Sequence, residues 1–154
     1  MVAPRKPISK SSMPALARPS AGPTVALAWL LPGAGHFLQG QSGKALVFGA
    51  TLLPMYLCGL AMGGRLFEFR GAEPLVLLAA ASQWMVGAMR LVAGWAGSGG
   101  GDVVAASYEY GNTFLIVAGL LNVLVMFDAA DVARGRKAAS PTEAPIEAPR
   151  VAKP

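Results

Sequence analysis

The chain carries one histidine, His36, inside a helix-breaking, glycine-rich turn, Pro32-Gly33-Ala34-Gly35-His36-Phe37, within an otherwise apolar stretch. Imidazole is the side-chain type that titrates near neutrality, so this position could sense pH, relay protons or ligate a metal. Nucleophilic catalysis would also need a positioned serine or cysteine with an orienting acid, and a metal site would need further ligands. Neither constellation stands beside His36 in the sequence. The plainer expectation is that His36 hydrogen-bonds the irregular backbone of its own turn.

Five other polar positions interrupt apolar runs. Asp128 and Asp131 are three residues apart, so they share one helix face, where two carboxylates could hold a metal or pass protons. Against this, Asp131 can pair with Arg134 one turn on, and no histidine or glutamate at ligand spacing joins them. Arg90 is a charge within an apolar segment, which by default is a functional-site hypothesis. It lies near Trp95, however, and could snorkel to the interface or pair with Glu109 or Asp102. Gln83 and Asn122 are costly facing lipid and are expected to point inward, either as interhelical hydrogen bonds or as the lining of a substrate path.

The elements that must position these groups are greasy. Of 154 residues, 54% are hydrophobic and only 14% charged, outside the ordinary soluble range. Thirteen Lys and Arg stand against eight Asp and Glu, and the basic residues cluster in the tails beside apolar segments. That is the pattern of membrane orientation and anionic-lipid contact, not of a nucleic-acid-reading face. The single cysteine, Cys58, has no intrachain partner, which excludes a disulfide framework and a cysteine zinc site.

The expected fold is all-α: a polytopic four-helix transmembrane bundle spanning residues 23–137, with crossings at about 24–38, 45–63, 74–95 and 111–130. A basic N-tail, 1–22, and a Pro/Ala/Glu tail, 138–154, are rich in residues that cannot bury a core and are expected to be disordered. The first run is read as a retained span rather than a cleaved signal, because no small-x-small cleavage site follows it. Pro23 is placed as a helix-start residue, Pro54 as a kink, Asn112 as an N-cap and Gly135 as an end signal. Gly59 and Gly63 form a small-xxx-small pair suited to close helix approach.

With four crossings, eleven basic residues fall on one side and only Lys44 opposite, with Arg90 left inside the third segment. A re-entrant first segment would instead divide the basic residues five and seven, with no clear asymmetry, so the positive-inside rule favours four spans with both termini in the cytoplasm and a bacterial inner membrane as the expected location. Trp95, Tyr108 and Tyr110 bracket the third loop as interfacial belt residues. Its Gly97-Ser98-Gly99-Gly100-Gly101 stretch lacks a following Gly-Lys-Ser/Thr, so it is expected to be a flexible linker and not a phosphate cradle. This topology places His36 across the bilayer from Asp128 and Asp131.

The run Trp29-Leu30-Leu31-Pro32-Gly33-Ala34-Gly35-His36-Phe37-Leu38-Gln39-Gly40-Gln41-Ser42-Gly43-Lys44-Ala45 resembles the signature of the two-transmembrane-helix (TM-two) domain superfamily. There a first helix ends in a Gly-x-Gly-His-(Arg)-Phe-Tyr-x-Gly turn that leads through Gly-Lys/x-Gly into the next. Gly33, Gly35, His36, Phe37, Gly40 and Gly43 fit; the arginine after the histidine is absent, and Leu38 stands where tyrosine is usual. The Asn122-to-Ala129 stretch looks like the last helix of related small bacterial membrane proteins. The resemblance implies membrane insertion and a tight interhelical turn, and supplies no activity.

Taken together, the sequence leads us to expect a non-enzymatic structural or accessory membrane protein with no cofactor. Its partners would be the bilayer, anionic headgroups at the tails, and a second copy or another membrane protein. The first alternative is a small transporter or channel component, which requires Gln83, Asn122 and Arg90 to converge on one cavity. The second is a membrane enzyme using His36, which requires a carboxylate or hydroxyl within hydrogen-bond reach of the imidazole.

Overall fold

A computed structural model describes residues 19–70 and 73–136, so the expectations for residues 1–18 and 137–154 fall outside the described residues. Every regular element described is an α-helix: α1 (Ala21–Leu30), α2 (Ala34–Leu38), α3 (Ser42–Ala61), α4 (Pro74–Trp84), α5 (Ala88–Trp95) and α6 (Tyr108–Ala133). Two of them, α3 and α6, are long and apolar enough to cross a membrane. At 1.5 Å per residue they reach about 30 and 39 Å, enough for the hydrocarbon core. α3 continues through Pro54 as one helix.

Glycine punctuates these helices in one recurring way. At the end of α3, Gly63 takes φ +81°, its N–H bonds the Leu60 carbonyl and the next N–H, of Gly64, bonds the Gly59 carbonyl. This left-handed cap closes the orphan carbonyls of a helix end. The same pair of bonds ends α6 at Gly135, as the sequence predicts.

α3 and α6 run antiparallel. Gly59 on α3 sits against Gly111 and Leu115 at the start of α6, while Lys44 at the start of α3 meets Asp128 near the end of α6. The molecule therefore has a Gly111 end and an Asp128 end, and two helical hairpins fill the space between them.

The first hairpin is α1–α2, and it does not continue through as the expected crossing at 24–38. Gly35 on α2 lies against the Thr24 carbonyl and the Ala28 and Ala129 methyls, so α2 has folded back along α1 beside the last turns of α6. The physical reason is Pro32-Gly33: proline lacks the N–H that would carry α1 onward, and Gly33 adopts φ +87° with its backbone against the Ala45 carbonyl. At ten residues α1 is about 15 Å long, half of a span.

The second hairpin is α4–α5, helices bent by 104° across residues 85–87 where the sequence suggests one continuous span at 74–95. Val76, near the start of α4, lines a cavity with Arg65 and Gly99, so α4 begins at the Gly111 end. It descends until Ser82 packs on Gly119, and α5 returns along the Leu53–Leu60 face of α3. The turn is made at Gly87, whose φ of +47° is unavailable to most residues.

The two hairpin tips meet at mid-depth. Trp29 Nε1 donates to the Trp84 carbonyl at 2.9 Å, and the Gly87 backbone lies against Trp29 and Leu30. The apolar core around Tyr56, Leu66, Val86, Ala93, Leu115 and Ala118 packs α3, α5 and α6 together on the Gly111 side of this junction.

Candidate functional site

His36 is completely buried and its Nε2 lies 2.9 Å from Asp128 Oδ2. This corrects the placement of His36 across the bilayer from Asp128, and also its expected bond to its own turn. The turn satisfies itself: the His36 and Phe37 N–H groups bond the Gly33 carbonyl, and Gln41 N–H bonds the His36 carbonyl. With Asp128 ionised, its oxygen accepts and Nε2 is the donor of this bond. His36 Nδ1 is buried without a protein partner, and the ring packs tilted against Phe48 at 5.0 Å.

Lys44 Nζ reaches the same Asp128 oxygen at 3.3 Å, and Gln39 Nε2 donates to the Ala129 carbonyl at 2.8 Å. The hairpin is thus tied to the end of α6 by an imidazole and an amide, and the start of α3 by the ammonium of Lys44. Of the other motif positions here, Pro32, Gly33 and Gly35 are buried in close packing, Phe37 is exposed, and Gly40 (φ +74°) and Gly43 lie on the surface of the link into α3. Asp131 pairs with Arg136 at 3.6 Å and not with Arg134. Among the described residues no three of His, Cys, Asp and Glu gather as a metal site would need.

Asn122 is the polar group at the junction of the hairpins. Fully buried, its Nδ2 donates to the Ala28 carbonyl at 3.1 Å and the Met85 carbonyl at 2.6 Å. Both acceptors are orphans of chain breaks. Ala28 would bond the N–H of residue 32, which is a proline, and Met89, which would bond Met85 in a continuous helix, turns to Val86 instead. One amide therefore repairs the backbone at both tips.

Gln83 and Arg90 serve the Gly111 end. Gln83 Nε2 donates to the Arg65 carbonyl at 2.9 Å and its Oε1 accepts the Phe67 N–H at 2.8 Å, the pattern of an added strand residue. Arg90 is buried, donates through Nη2 to the Phe67 carbonyl and lies over the Trp84 ring at 5.2 Å. It pairs with neither Glu109 nor Asp102, because the 65–67 segment reaches it first. Asn112 is not the N-cap of α6, which falls at Ser107; its Oδ1 accepts the Arg65 N–H at 2.8 Å.

The glycine-rich loop after α5, expected as a flexible linker, is docked on this same segment. Leu66 N–H bonds the Gly99 carbonyl at 2.8 Å, and Asp102 N–H bonds the Gly63 carbonyl at 2.9 Å. Trp95 and Tyr110 are exposed beside it, as interfacial residues would be.

Gln83 and Arg90 thus converge on one loop and Asn122 on another place, each spending its bonds on backbone. They do not line one cavity, which the transporter alternative required.

One family model, that of DUF6677, a family of unknown function, matches residues 24–138, well over half of the chain. The chain belongs to the DUF6677 family. The matched region takes in both hairpins, both long helices and the His36–Asp128 pair, so in DUF6677 terms the described structure is the family domain itself. No curated protein and no solved structure matches the chain.

Proposed function

We propose that this chain is a non-catalytic accessory protein of a bacterial inner membrane, built as two crossing helices that hold two half-depth hairpins, one from each face. One observation carries the reading: Gln39, Gln83, Arg90 and Asn122 direct their bonds to the backbone of other elements, so the polar groups assemble a scaffold. Buried polar side chains used this way fix a shape for contact with another membrane protein or a second copy.

Charge placement supports both termini lying in the cytoplasm. Lys44 lies at the Asp128 end, where Arg134 and Arg136 also sit and from which both tails depart. The tails carry Arg5, Lys6, Lys10 and Arg18 before it, and Lys137, Arg150 and Lys153 after it. Against these, the opposite end has Arg65 and Arg70 on its loops, an asymmetry that the positive-inside rule orients toward the cytoplasm. The basic tails are suited to anionic headgroups on that face. The turn's likeness to the TM-two signature fits this reading as a membrane-embedded bend.

The test is mild cross-linking of the tagged full-length protein in its native membrane, followed by identification of co-purifying chains. A reproducible membrane partner, or a cross-linked second copy, is the expected result; recovery of the uncross-linked chain alone would overturn it. A second reading, a membrane enzyme using His36, is favoured by the carboxylate at 2.9 Å from the imidazole. It lacks a nucleophile or substrate-facing group beside Nδ1, and it requires that His36→Gln abolish an activity while leaving partner capture intact.

A further inference from the structure

At the Gly111 end three arginines surround one segment. Residues Arg65, Leu66 and Phe67 run between the start of α4 and the docked glycine loop, and with Arg70, Gly99 and Gly100 they line a cavity of about 500 Å³. The loop packs closely against this segment: a Cβ on Gly99 would strike the Leu66 side chain, and one on Gly101 the Arg65 side chain. Arg65 and Arg70 are exposed, so their guanidinium groups are accessible to a ligand. Among the described lining residues the one acid, Glu68, holds Arg70 at 3.1 Å through an exposed pair of small worth.

Behind the Phe67 wall stands Arg90, 8% exposed. Its Nη2 has the Phe67 carbonyl and its plane has the Trp84 ring, but its Nε is buried without a partner and no carboxylate pairs with it among the described residues. A guanidinium is always charged, and a buried one without a counter-ion is expensive. Low-dielectric walls screen such a charge poorly, so its field extends into the cavity on the other side of Phe67. Two exposed guanidinium forks, the Arg90 charge behind them and one acid among the described lining residues give the cavity a net positive character.

We propose that this cavity binds a phosphate group, gripped by Arg65 and Arg70 and held in the field of Arg90. Guanidinium forks match phosphate oxygens in bidentate fashion, and the volume exceeds what a bare phosphate fills. The phosphate belongs either to the headgroup of an anionic phospholipid in the adjoining leaflet or to a free phosphate. Phe69, 57% exposed beside Arg70 and stacked near Trp84 at 6.4 Å, offers an apolar flank to a lipid. The proposal stands apart from the accessory role, since it holds whether or not a protein partner is captured.

The experiment uses the full-length protein in nanodiscs containing phosphatidylglycerol and phosphatidylcholine, with tightly retained lipid measured by native mass spectrometry and inorganic phosphate added as competitor. The basic tails also attract anionic lipid, so the decisive comparison is between wild type and the doubly substituted Arg65→Gln/Arg70→Gln protein, whose changes are exposed and leave the fold intact. Losing two charge-assisted contacts should lower phosphatidylglycerol retention about tenfold, with phosphatidylcholine unchanged. Lys44→Gln, at the opposite end, should leave this retention unaltered. Saturable binding of inorganic phosphate that the double variant loses, without lipid preference, would support the site with free phosphate as its source. Equal retention by wild type and double variant, or binding of neither probe, overturns the proposal.

Discussion

The two hairpins solve the same problem with different chemistry. Each enters to mid-depth and turns back, and each must be fastened to helices that would otherwise leave its polar backbone unpaired in hydrocarbon. The first, α1–α2, is tied at its mouth by the His36 imidazole on Asp128 and by the Gln39 amide on the Ala129 carbonyl, with Lys44 of α3 on the same carboxylate. The second, α4–α5, is tied by side chains bonded to backbone, Gln83 and Arg90 on the 65–67 segment. A side-chain ion pair can be weakened by protonation or salt, whereas an amide bonded to a peptide group is indifferent to both. The first hairpin thus adds an ion pair to its amide fastening and the second relies on bonds to backbone alone, with Asn122 shared between their tips.

The largest break should come from Gly119→Leu. A side chain there would overlap the Ser82 backbone, so α4 cannot stay on α6, and a loss of several kcal/mol is expected, seen as failure to recover a folded monodisperse species in detergent. Next is Asn122→Leu, which strands the Ala28 and Met85 carbonyls at about 1–3 kcal/mol each. Thermal unfolding should fall, and hydrogen exchange should rise in both 21–38 and 74–95. Exchange confined to one hairpin would contradict the shared role of Asn122.

Asp128→Asn separates the two hairpins most clearly. It keeps an acceptor for His36 but removes the charge facing Lys44, so exchange should rise in 21–38 and stay unchanged in 74–95. The smallest effect belongs to Arg136→Gln: its contact with Asp131 is 3.6 Å and largely exposed, and a pair of that kind contributes from nothing to about 1 kcal/mol. A shift in unfolding temperature matching that of Asp128→Asn would show that the first hairpin is not fastened through Asp128.

Much of this was legible in the residues. Apolar runs gave the helices, the Gly135 stop was correct, and the inward orientation of Gln83 and Asn122 followed from the penalty of facing lipid. Hydropathy does not report a reversal: residues 24–38 and 74–95 are apolar enough to be read as crossings, although the first is short for one. Pro32-Gly33 marked the first reversal, and Gly87 the second, but a glycine within an apolar run is also common in ordinary spans. The misplacement of His36 relative to Asp128 followed from reading 74–95 as a crossing, since that segment lies between them and each crossing moves every later group to the other side. The pairing of His36 with Asp128, 92 residues on, has no local signal at all. The orphaned Ala28 carbonyl was written in Pro32, but its partner Asn122 lies 94 residues away.

The central claim, two crossings and two reversals, is tested most directly by thiol labelling in sealed vesicles of known orientation. In a Cys58→Ser background, single substitutions Ser42→Cys, Glu73→Cys, Ser98→Cys and Arg136→Cys are each exposed to a membrane-impermeant maleimide. The account predicts that the thiols at 42 and 136 react from one face and those at 73 and 98 from the other. Labelling of position 42 from the face opposite 136, or of 73 and 98 from opposite faces, would contradict it.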